Sequence, residues 1–392
     1  MAKWKKCRIS DIGTVVGGAT PSTKKPENYE GGSIAWITPK DLSSFRGRYI
    51  SNGSRNITEE GLRSCSAQLL PSNTILFSSR APIGYIAIAQ NELCTNQGFK
   101  SVIPNDDTHP LFLYYLLKYN KQNIENMGSG TTFKEVSGKT MKNIEVIVPT
   151  DFSEQTRIAS VLGALDDKIE VNEQINNNLE QQAQALFNDF FFSRDTLPTG
   201  WKKGSLLDIA DYLNGLAMQK FRPSENKLGI PVLKIRELRQ GMCDDNSELC
   251  SANIKPEYII SDGDVIFSWS GSLLIDFWCG GQCGLNQHLF KVTSSKYDKW
   301  FYYAWTKHYL NKFIALASAM ATTMGHIKRG ELAKSEVLIP SDEDYKYLGS
   351  LLRPMYNLII SNRIENVRLA DLRNELLPKL MSGELNVSEI EF

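Results

Sequence analysis

Residues 144–149, Ile-Glu-Val-Ile-Val-Pro, return about 190 residues later as residues 335–340, Ser-Glu-Val-Leu-Ile-Pro. A β-branched apolar run that ends in proline is typical of a buried strand, because proline cannot continue the ladder of backbone hydrogen bonds. Each copy is followed by a helix start. Asp151 and Glu154 are spaced as a capping box after the first copy, and Ser341 begins a weaker version after the second. The sequence therefore predicts a strand followed by a helix, and this unit occurs twice in the chain.

Other short segments recur in the same order at nearly the same offset. Self-similarity over most of a chain indicates a duplicated architecture, in which each copy forms one structural unit. The matching pairs are Trp4-Lys5-Lys6 with Trp201-Lys202-Lys203, Asp11-Ile12 with Asp208-Ile209, Gly18 with Gly215, Ile75-Leu76-Phe77-Ser78 with Val265-Ile266-Phe267-Ser268, Asn96-Gln97 with Asn286-Gln287, and Thr131-Thr132 with Thr322-Thr323. We therefore predict two similar globular domains.

Each globular domain alternates short apolar runs with turn residues. In the first copy, β-rich runs at 34–37, 74–77, 85–89 and 144–148 are separated by Gly, Pro, Ser and Asn, which predicts short strands. One clear helix is predicted around His109–Lys121. The predicted fold class is α+β.

The helix after each closing strand carries an apolar stripe with heptad spacing, interrupted by two asparagines. We predict that the two helices pack on each other as a coiled coil, because a simple surface helix needs no seam kept in register in both copies. The alternative is that each helix covers only its own preceding domain. The predicted seam residues are Leu162, Leu165, Ile169, Asn172, Asn176, Leu179 and Leu186 in the first helix, and Leu352, Met355, Ile359, Asn362, Asn366, Leu369 and Leu376 in the second.

The repeat also sets the predicted domain boundaries. Globular domains are expected at 1–150 and 197–341, and helical segments at 151–196 and 342–392. Pro354 lies inside the second helical stripe, where it removes a backbone donor and clashes with the preceding turn. We therefore expect the long second helix to begin near Pro354.

The composition is that of an ordinary globular protein. The 392 residues are 42% apolar and 22% charged, which excludes disordered and fibrous classes. No stretch approaches the roughly 18 apolar residues that a membrane span requires, and the N-terminus leads into no apolar signal segment, so we expect a cytoplasmic protein. Seven scattered cysteines indicate free thiols and no structural disulfides.

The net charge of zero hides an uneven distribution. Residues 1–150 carry 18 basic and 12 acidic side chains, and residues 194–340 carry 18 and 15. The helical segments 151–193 and 341–392 carry 2 and 8, and 6 and 9, respectively. Two basic globular blocks thus alternate with two acidic helical ones, and a basic surface for nucleic acid is compatible with the zero total.

These residues together resemble the specificity subunits of type I restriction-modification systems, over nearly the whole chain. The most specific parts are the opening of the first helix and the terminal run. They read Glu154-Gln155, Arg157-Ile158-Ala159, Leu162, Leu165-Asp166 and Ile169, and Leu376-Leu377-Pro378-Lys379-Leu380-Met381-Ser382-Gly383-Glu384-Leu385. One departure is that Tyr345-Lys346 stand in the second copy where the first has Glu154-Gln155. This departure bears on whether partners dock equally on the two helices.

The resemblance implies a sequence-specific DNA-binding subunit with two target-recognition domains related by a pseudo-two-fold repeat. Each domain would read one half of a bipartite double-stranded DNA target, and the antiparallel helices would set the spacer. The implied partners are two modification subunits, which methylate adenine, and restriction subunits, which translocate and cut DNA. S-adenosylmethionine, ATP and Mg are expected on those partners, and no cofactor is expected on this chain.

Sequence reading needs polar side chains on loops at the edge of a rigid sheet. Residues that match between the copies are expected to serve the shared fold, whereas residues that differ at equivalent tips, such as Arg80 and Ser270, are expected to read different half-sites. For each candidate the alternative is a solvated charge or a local salt bridge. The candidates are Arg46, Arg48, Arg55, Arg80, Lys134 and Lys139 in the first domain, and Lys220, Arg222, Arg236, Arg239, Ser270, His326 and Lys328 in the second.

Three further features have competing interpretations. Asn96-Gln97 and Asn286-Gln287 could contact adenine, but their retention in both copies favours turn hydrogen bonding. The polar stretches 128–132 and 318–323 are either loops that approach phosphates through their amides or ordinary connectors. A zinc site at Cys279 and Cys283 is disfavoured, because no second ligand pair accompanies them.

No catalytic pattern is evident in the sequence. None of the four histidines lies in a nucleophile or metal motif, and there is no phosphate-binding loop ending in Gly-Lys-Ser/Thr. The Asn-Pro-Pro-aromatic or Asp-Pro-Pro-aromatic run of amino-methylating enzymes is also absent. We expect a non-catalytic subunit. The alternatives are an autonomous DNA methyltransferase, or a duplicated coiled-coil scaffold or phage structural protein that binds protein rather than DNA.

Overall fold

The computed structural model describes residues 3–130, 134–193, 196–224, 228–319 and 327–387. The chain divides into two compact units. Unit 1 combines the residues up to 170 with those from 370 onward, and unit 2 consists of residues 171–369. Both boundaries fall inside long helices, so each predicted globular domain is extended by parts of both helices. No described helix is long and apolar enough to cross a membrane.

Unit 1 is a mixture of short strands and helices. Its strands are β1 (Trp4–Arg8), β2 (Gly13–Gly17), β3 (Ile34–Ile37), β4 (Tyr49–Ile50), β5 (Arg55–Ile57), β6 (Ile75–Ser79), β7 (Ile83–Ala89), β8 (Cys94–Thr95), β9 (Lys100–Pro104) and β10 (Glu145–Pro149). Its helices are α1 (Ile9–Ile12), α2 (Pro39–Ser43), α3 (Glu59–Arg63), α4 (Pro110–Tyr119), α5 (Lys121–Asn126), α6 (Gly138–Asn143) and the first part of α7 (Phe152–Phe192). The four strands and the helix predicted for this domain are present as β3, β6, β7, β10 and α4.

Unit 2 repeats this order. Its strands are β11 (Lys202–Ser205), β12 (Asp211–Asn214), β13 (Gly229–Leu233), β14 (Leu249–Ser251), β15 (Ile259–Ile260), β16 (Val265–Ser268), β17 (Leu274–Phe277), β18 (Cys283–Leu285), β19 (Leu289–Thr293) and β20 (Glu336–Ile339). Its helices are α8 (Leu206–Ile209), α9 (Ile235–Gln240), α10 (Lys299–Ala319), α11 (Arg329–Ala333) and most of α12 (Asp342–Ser382).

The sheets of the two units correspond strand by strand. Unit 1 has a five-stranded sheet in the order β2-β9-β6-β7-β4, a three-stranded sheet β5-β3-β8 and the pair β1-β10. Unit 2 has β12-β19-β16-β17, β14-β13-β18-β15 and β11-β20. The difference is the place of one short strand, because β4 extends the five-stranded sheet of unit 1 whereas β15 extends the sheet of unit 2 that contains β13 and β18. The duplication predicted from the sequence is confirmed.

The residues that match between the copies serve the backbone. Asp11 accepts a hydrogen bond from the backbone N–H of Arg8 at 2.7 Å, and Asp208 accepts one from Ser205 at 2.7 Å. A Cβ on Gly18 would lie 2.2 Å from the carbonyl oxygen of Asn96, and one on Gly215 would lie 2.2 Å from that of Asn286. No other residue fits such close approaches.

The two long helices pair in an antiparallel manner and also fill the cores. Unit 1 buries Ile158 and Leu162 of α7 together with Leu380 of α12, and unit 2 buries Phe187 of α7 and Leu352 of α12. Both interpretations of the stripes therefore apply, because each helix pairs with the other and also covers a domain. Of the predicted seam, Leu162, Asn172, Asn176, Leu352, Ile359 and Asn362 are buried, and Leu165, Ile169, Leu179, Leu186, Met355, Asn366, Leu369 and Leu376 are half-buried.

The asparagines form a polar layer within unit 2. The Nδ2 atom of Asn172 donates to Oδ1 of Asn366 at 2.8 Å, and Nδ2 of Asn362 donates to Oδ1 of Asn176 at 2.9 Å. A shift of 190 residues converts one pair into the other. The layer fixes an antiparallel register, since slippage would leave buried amides unpaired.

The start of the second helix differs from the prediction. Helix α12 runs without a break from Asp342 to Ser382, so the expectation that it begins near Pro354 is wrong. The proline ring is exposed, and the buried residues Leu348, Leu352 and Tyr356 anchor the helix on both sides of it. Packing offsets the single hydrogen bond that the proline removes.

The helix starts also explain the departure between the copies. Oε1 of Gln155 accepts a hydrogen bond from the backbone N–H of His109 at 2.9 Å. The hydroxyl of Tyr345 accepts one from the backbone N–H of Asp298 at 2.8 Å, which holds the start of α10 in the same way. At the 190-residue offset of the helix seam, Gln155 corresponds to Tyr345, one residue out of register with the pairing taken from the sequence. The two counterparts therefore perform the same internal task with different chemistry.

Candidate nucleic-acid interface

Three loops of unit 1 meet at one edge, which we call the loop edge. They are the β6–β7 tip (78–82), the turn 96–98, and the segment 128–137, of which 131–133 lie outside the described residues. The backbone N–H of Ser79 donates to the carbonyl of Gly98 at 2.7 Å, and that of Val136 donates to the carbonyl of Ser79 at 2.9 Å. Main-chain bonds thus join the three loops.

Unit 2 has a loop edge with the same main-chain bonds. It comprises the β16–β17 tip (268–272), the turn 286–288, and the described residues from Ile327. The N–H of Trp269 donates to the carbonyl of His288 at 3.4 Å, and that of Ile327 donates to the carbonyl of Trp269 at 2.9 Å. Both bonds are the counterparts of those in unit 1, shifted by about 190 residues.

The retained asparagines organise the turns. Oδ1 of Asn96 accepts from the N–H of Gly98 at 2.9 Å, and Oδ1 of Asn286 accepts from the N–H of His288 at 3.2 Å. These bonds are those of turn residues whose side chains hold the local backbone. The interpretation favoured for the asparagines from the sequence fits this geometry.

Arg80 stands at the tip of the unit 1 loop edge. Its guanidinium lies 3.5 Å from one carboxylate oxygen of Glu135, and Nζ of Lys100 lies 3.4 Å from the other. The Arg80 side chain is 37% exposed. A half-exposed pair of this kind is weak, so a nucleic acid can replace the carboxylate as the partner of the guanidinium.

Other basic candidates of unit 1 have accessible side chains. Lys134 follows the undescribed part of the third loop, and Lys139 lies on α6, directly beyond it; both are exposed. Arg55 begins β5, next to the end of β3, and its guanidinium stacks on the ring of Tyr29 at 3.5 Å from the centroid. Arg46 is exposed on the loop after α2.

Arg48 requires a correction. It is 4% exposed, and its guanidinium pairs with Asp167 and with Glu170 of α7, the latter at 2.9 Å. Burial opposes its charge, but the hydrogen bonds that it donates to the two carboxylates raise the pKa of Arg48 above its ordinary value. The side chain is committed to holding α7 on unit 1, and we remove it from the DNA-contacting candidates.

The candidates of unit 2 divide in the same way. Arg236 is about half exposed but engaged by Glu237 and Asp244 at 2.7 and 2.9 Å, so a local salt bridge accounts for it. Arg239 lines a groove together with the tip residue Gly271. The remaining accessible candidates are Lys220, Arg222 and Lys328, all exposed.

Ser270 does not lie where the sequence predicted. Ser270 is 6% exposed, and its Oγ lies 3.0 Å from Nδ1 of His288, so the hydroxyl faces the protein rather than solvent. His326 lies outside the described residues. His288 was not among the residues selected from the sequence, although it differs from Gly98, its counterpart in the repeat, as Arg80 differs from Ser270.

All seven cysteines are free thiols, and no group of three or more His, Cys, Asp or Glu side chains among the described residues is placed to hold a metal ion. Burial raises the pKa of the Cys279 thiol to about 12. Cys279 is therefore a thiol of the hydrophobic core of unit 2.

Comparisons with known proteins agree with this architecture. A family model described as the type I restriction modification DNA specificity domain matches twice, over residues 1–181 and 198–369. The type I restriction enzyme MjaIX specificity subunit from Methanocaldococcus jannaschii is 34% identical, across 99% of this chain and 94% of that protein. The EcoR124I/EcoR124II specificity subunit from Escherichia coli is 29% identical, across 50% of this chain and 48% of that protein.

A solved structure shows the same fold. The S subunit of a type I restriction-modification system from M. genitalium superposes with a TM-score of 0.61 at 16% identity, covering 97% of this chain and 96% of that one. These similarities do not favour the alternative of a scaffold or phage structural protein.

Proposed function

This chain belongs to the type I restriction modification DNA specificity family, as a specificity subunit, and we propose from that premise that each unit reads one half of a bipartite double-stranded DNA target. Unit 1 would read with the loop edge around Arg80, and unit 2 with the loop edge around the tip 268–272. The other accessible basic candidates would hold phosphates, because Lys and Arg contacts to the backbone position a protein without specifying bases.

The observation that carries this proposal is the shared main-chain frame with divergent tips. The bond from Ser79 to Gly98 and the bond from Trp269 to His288 hold equivalent loops. The side chains that these loops carry differ in size and charge between the two units, as Arg80 and Ser270 do at the tips. Two copies of one frame with different side chains suit two different half-sites in a single target.

The proposal also covers the partners. We expect two modification subunits and a set of restriction subunits, with S-adenosylmethionine, ATP and Mg bound by them, and a chain that transfers no methyl group alone. The equal internal roles of Gln155 and Tyr345 support equivalent geometry at both helix starts. We therefore expect the two modification subunits to dock equivalently. We expect the complex to act in the cytoplasm, where the DNA target lies.

A domain exchange tests the proposal. The chain is co-expressed with its modification subunits, and methylated adenines in the host DNA are mapped by sequencing. Replacing residues 1–150 by the corresponding domain of another specificity subunit should change one half-site and leave the other half-site and the spacer unchanged. The purified chain without partners, incubated with S-adenosylmethionine and the mapped target, serves as the control and should give no methylation. A change in both half-sites, or methyl transfer by the chain alone, contradicts the proposal.

A further inference from the structure

Each loop edge has one position with a large side chain and one with a small side chain or none, and the two units place them the opposite way round. At the tip, unit 1 has Arg80 where unit 2 has Ser270. At the turn, unit 1 has Gly98 where unit 2 has His288. The main-chain frame is the same in both units, so the larger side chain is supplied by the tip in one unit and by the turn in the other.

Local packing enforces this exchange. A Cβ on Gly98 would lie 2.9 Å from both Oδ1 of Asn96 and Cγ of Pro39, so the turn of unit 1 has no room for a side chain. In unit 2 the turn accommodates an imidazole, which covers the buried hydroxyl of Ser270. The position of unit 2 that corresponds to Arg80 therefore presents no side chain to solvent, whereas the half-buried His288 lies on the adjacent turn.

The environment of Gln287 changes together with this exchange. In unit 1 the side chain of Gln97 is hydrogen-bonded to the hydroxyl of Thr20. The residue of unit 2 that corresponds to Thr20 is Ala217, which offers no such partner. The amide nitrogen of Gln287 instead lies 3.2 Å from Nε2 of His288. Gln287, His288 and Ser270 thus form a continuous polar chain.

The polarity of this chain follows from its donors. The amide nitrogen of Gln287 can only donate, so Nε2 of His288 accepts. Nδ1 then carries the imidazole hydrogen and donates to Oγ of Ser270. The ring is held on one side by Ser270, and its accepting nitrogen contacts the amide of the half-buried Gln287.

We propose that His288 is the specificity-determining residue of unit 2, and that it recognises the exocyclic amino group of an adenine or cytosine in the major groove. This inference rests on the proposed function. Adenine N6 and cytosine N4 are the major-groove donors, so they match an accepting Nε2 once the Gln287 amide turns away. Arg80 has the opposite polarity and matches the acceptors O6 and N7 of guanine. The two units therefore read bases with complementary hydrogen-bonding character.

Single-base substitution of the target tests the inference. The chain assembled with its modification subunits is titrated with the mapped DNA duplex and with duplexes in which each base pair of the second half-site is replaced in turn. His288→Ala should reduce discrimination at one position of that half-site by roughly 10- to 100-fold and leave the first half-site unchanged. That position should carry adenine or cytosine on the contacted strand. His288→Lys, which only donates, should shift the preference toward guanine.

Matched variants separate the possible failures. Lys296→Ala, beyond the opposite end of β19, should leave discrimination unchanged, and Arg80→Ala should relax one position of the first half-site. Thermal unfolding confirms that each variant is folded. A folded His288→Ala assembly with full discrimination at every position overturns the inference while leaving the proposed function intact. If the assembly with the natural sequence does not recognise a bipartite target, the proposed function is overturned instead.

Discussion

Arg46 and Arg48 lie two residues apart and have opposite surroundings. Arg46 is exposed, whereas the Arg48 side chain is 5% exposed and paired with two carboxylates of α7. The sequence could not separate them, because the burial of Arg48 depends on a helix that begins about a hundred residues later. Positions 80 and 98 could be assessed better from the sequence, since the repeat supplies Ser270 and His288 for comparison.

The two arginines make a matched pair for mutation. Arg48→Ala should lower the free energy of unfolding of unit 1 by about 2 kcal/mol, because Glu170 and Asp167 lose a charged hydrogen-bond donor. Arg46→Ala should leave that free energy unchanged and weaken DNA binding, with a salt dependence reduced by about one phosphate contact. Urea unfolding and binding titrations at several salt concentrations measure both effects. The reverse pattern would contradict our assignment of the two residues.

At the scale of elements, the sequence predicted the pairing of the helices and its polar layer. The apolar stripe and its asparagines were sufficient for this prediction, because a polar residue in a helix seam usually serves to fix the register of the pairing. The sequence could not predict the ion pair between Asp166 and Arg373 in unit 1, where Tyr115 also donates to Asp166 at 2.6 Å. Burial opposes the charge of Asp166, but Lys118 and Arg373 hold its pKa below the ordinary value. Such a network depends on a third element, α4, and leaves no periodic signal.

The asparagine layer can be tested by a double-mutant cycle. Asn362→Leu alone should destabilise the protein by about 1–3 kcal/mol, because Asn176 is left buried and unpaired. Asn176→Leu with Asn362→Leu should recover most of this loss, since two apolar partners of similar size replace the pair. Thermal and urea unfolding of the four proteins measure the coupling. Additive effects of the two changes would show that the amides do not interact.

At the scale of the whole molecule, the repeat predicted two similar domains, and the structure has two compact units. The boundaries between the units fall inside α7 and α12, at 170/171 and 369/370. The reason is that each core takes up residues from both helices, as Leu162 and Leu380 do in unit 1. Sequence patterns identify the helices, but the partition of a helix between two cores depends on tertiary packing.

These limits define where the spacer can be lengthened. Seven helical residues inserted after Glu170 and seven before Ala370 should add about 10 Å of paired helix. The recognised spacer should grow by roughly three base pairs, with both half-sites unchanged. Sequencing of methylated adenines in cells that express the variant with its modification subunits provides the measurement. Insertion into α7 alone should abolish recognition, and altered half-site bases in the double insertion would count against a measuring role for the helices.

The main-chain bonds that join the loop edges also set how this protein can diversify. Because backbone atoms of Ser79, Gly98, Trp269 and His288 carry the scaffold, selection is free to exchange tip side chains at little cost in folding free energy. A new recognition sequence then lies only a few substitutions from the old one. The architecture thereby uncouples the evolution of target preference from the maintenance of the fold.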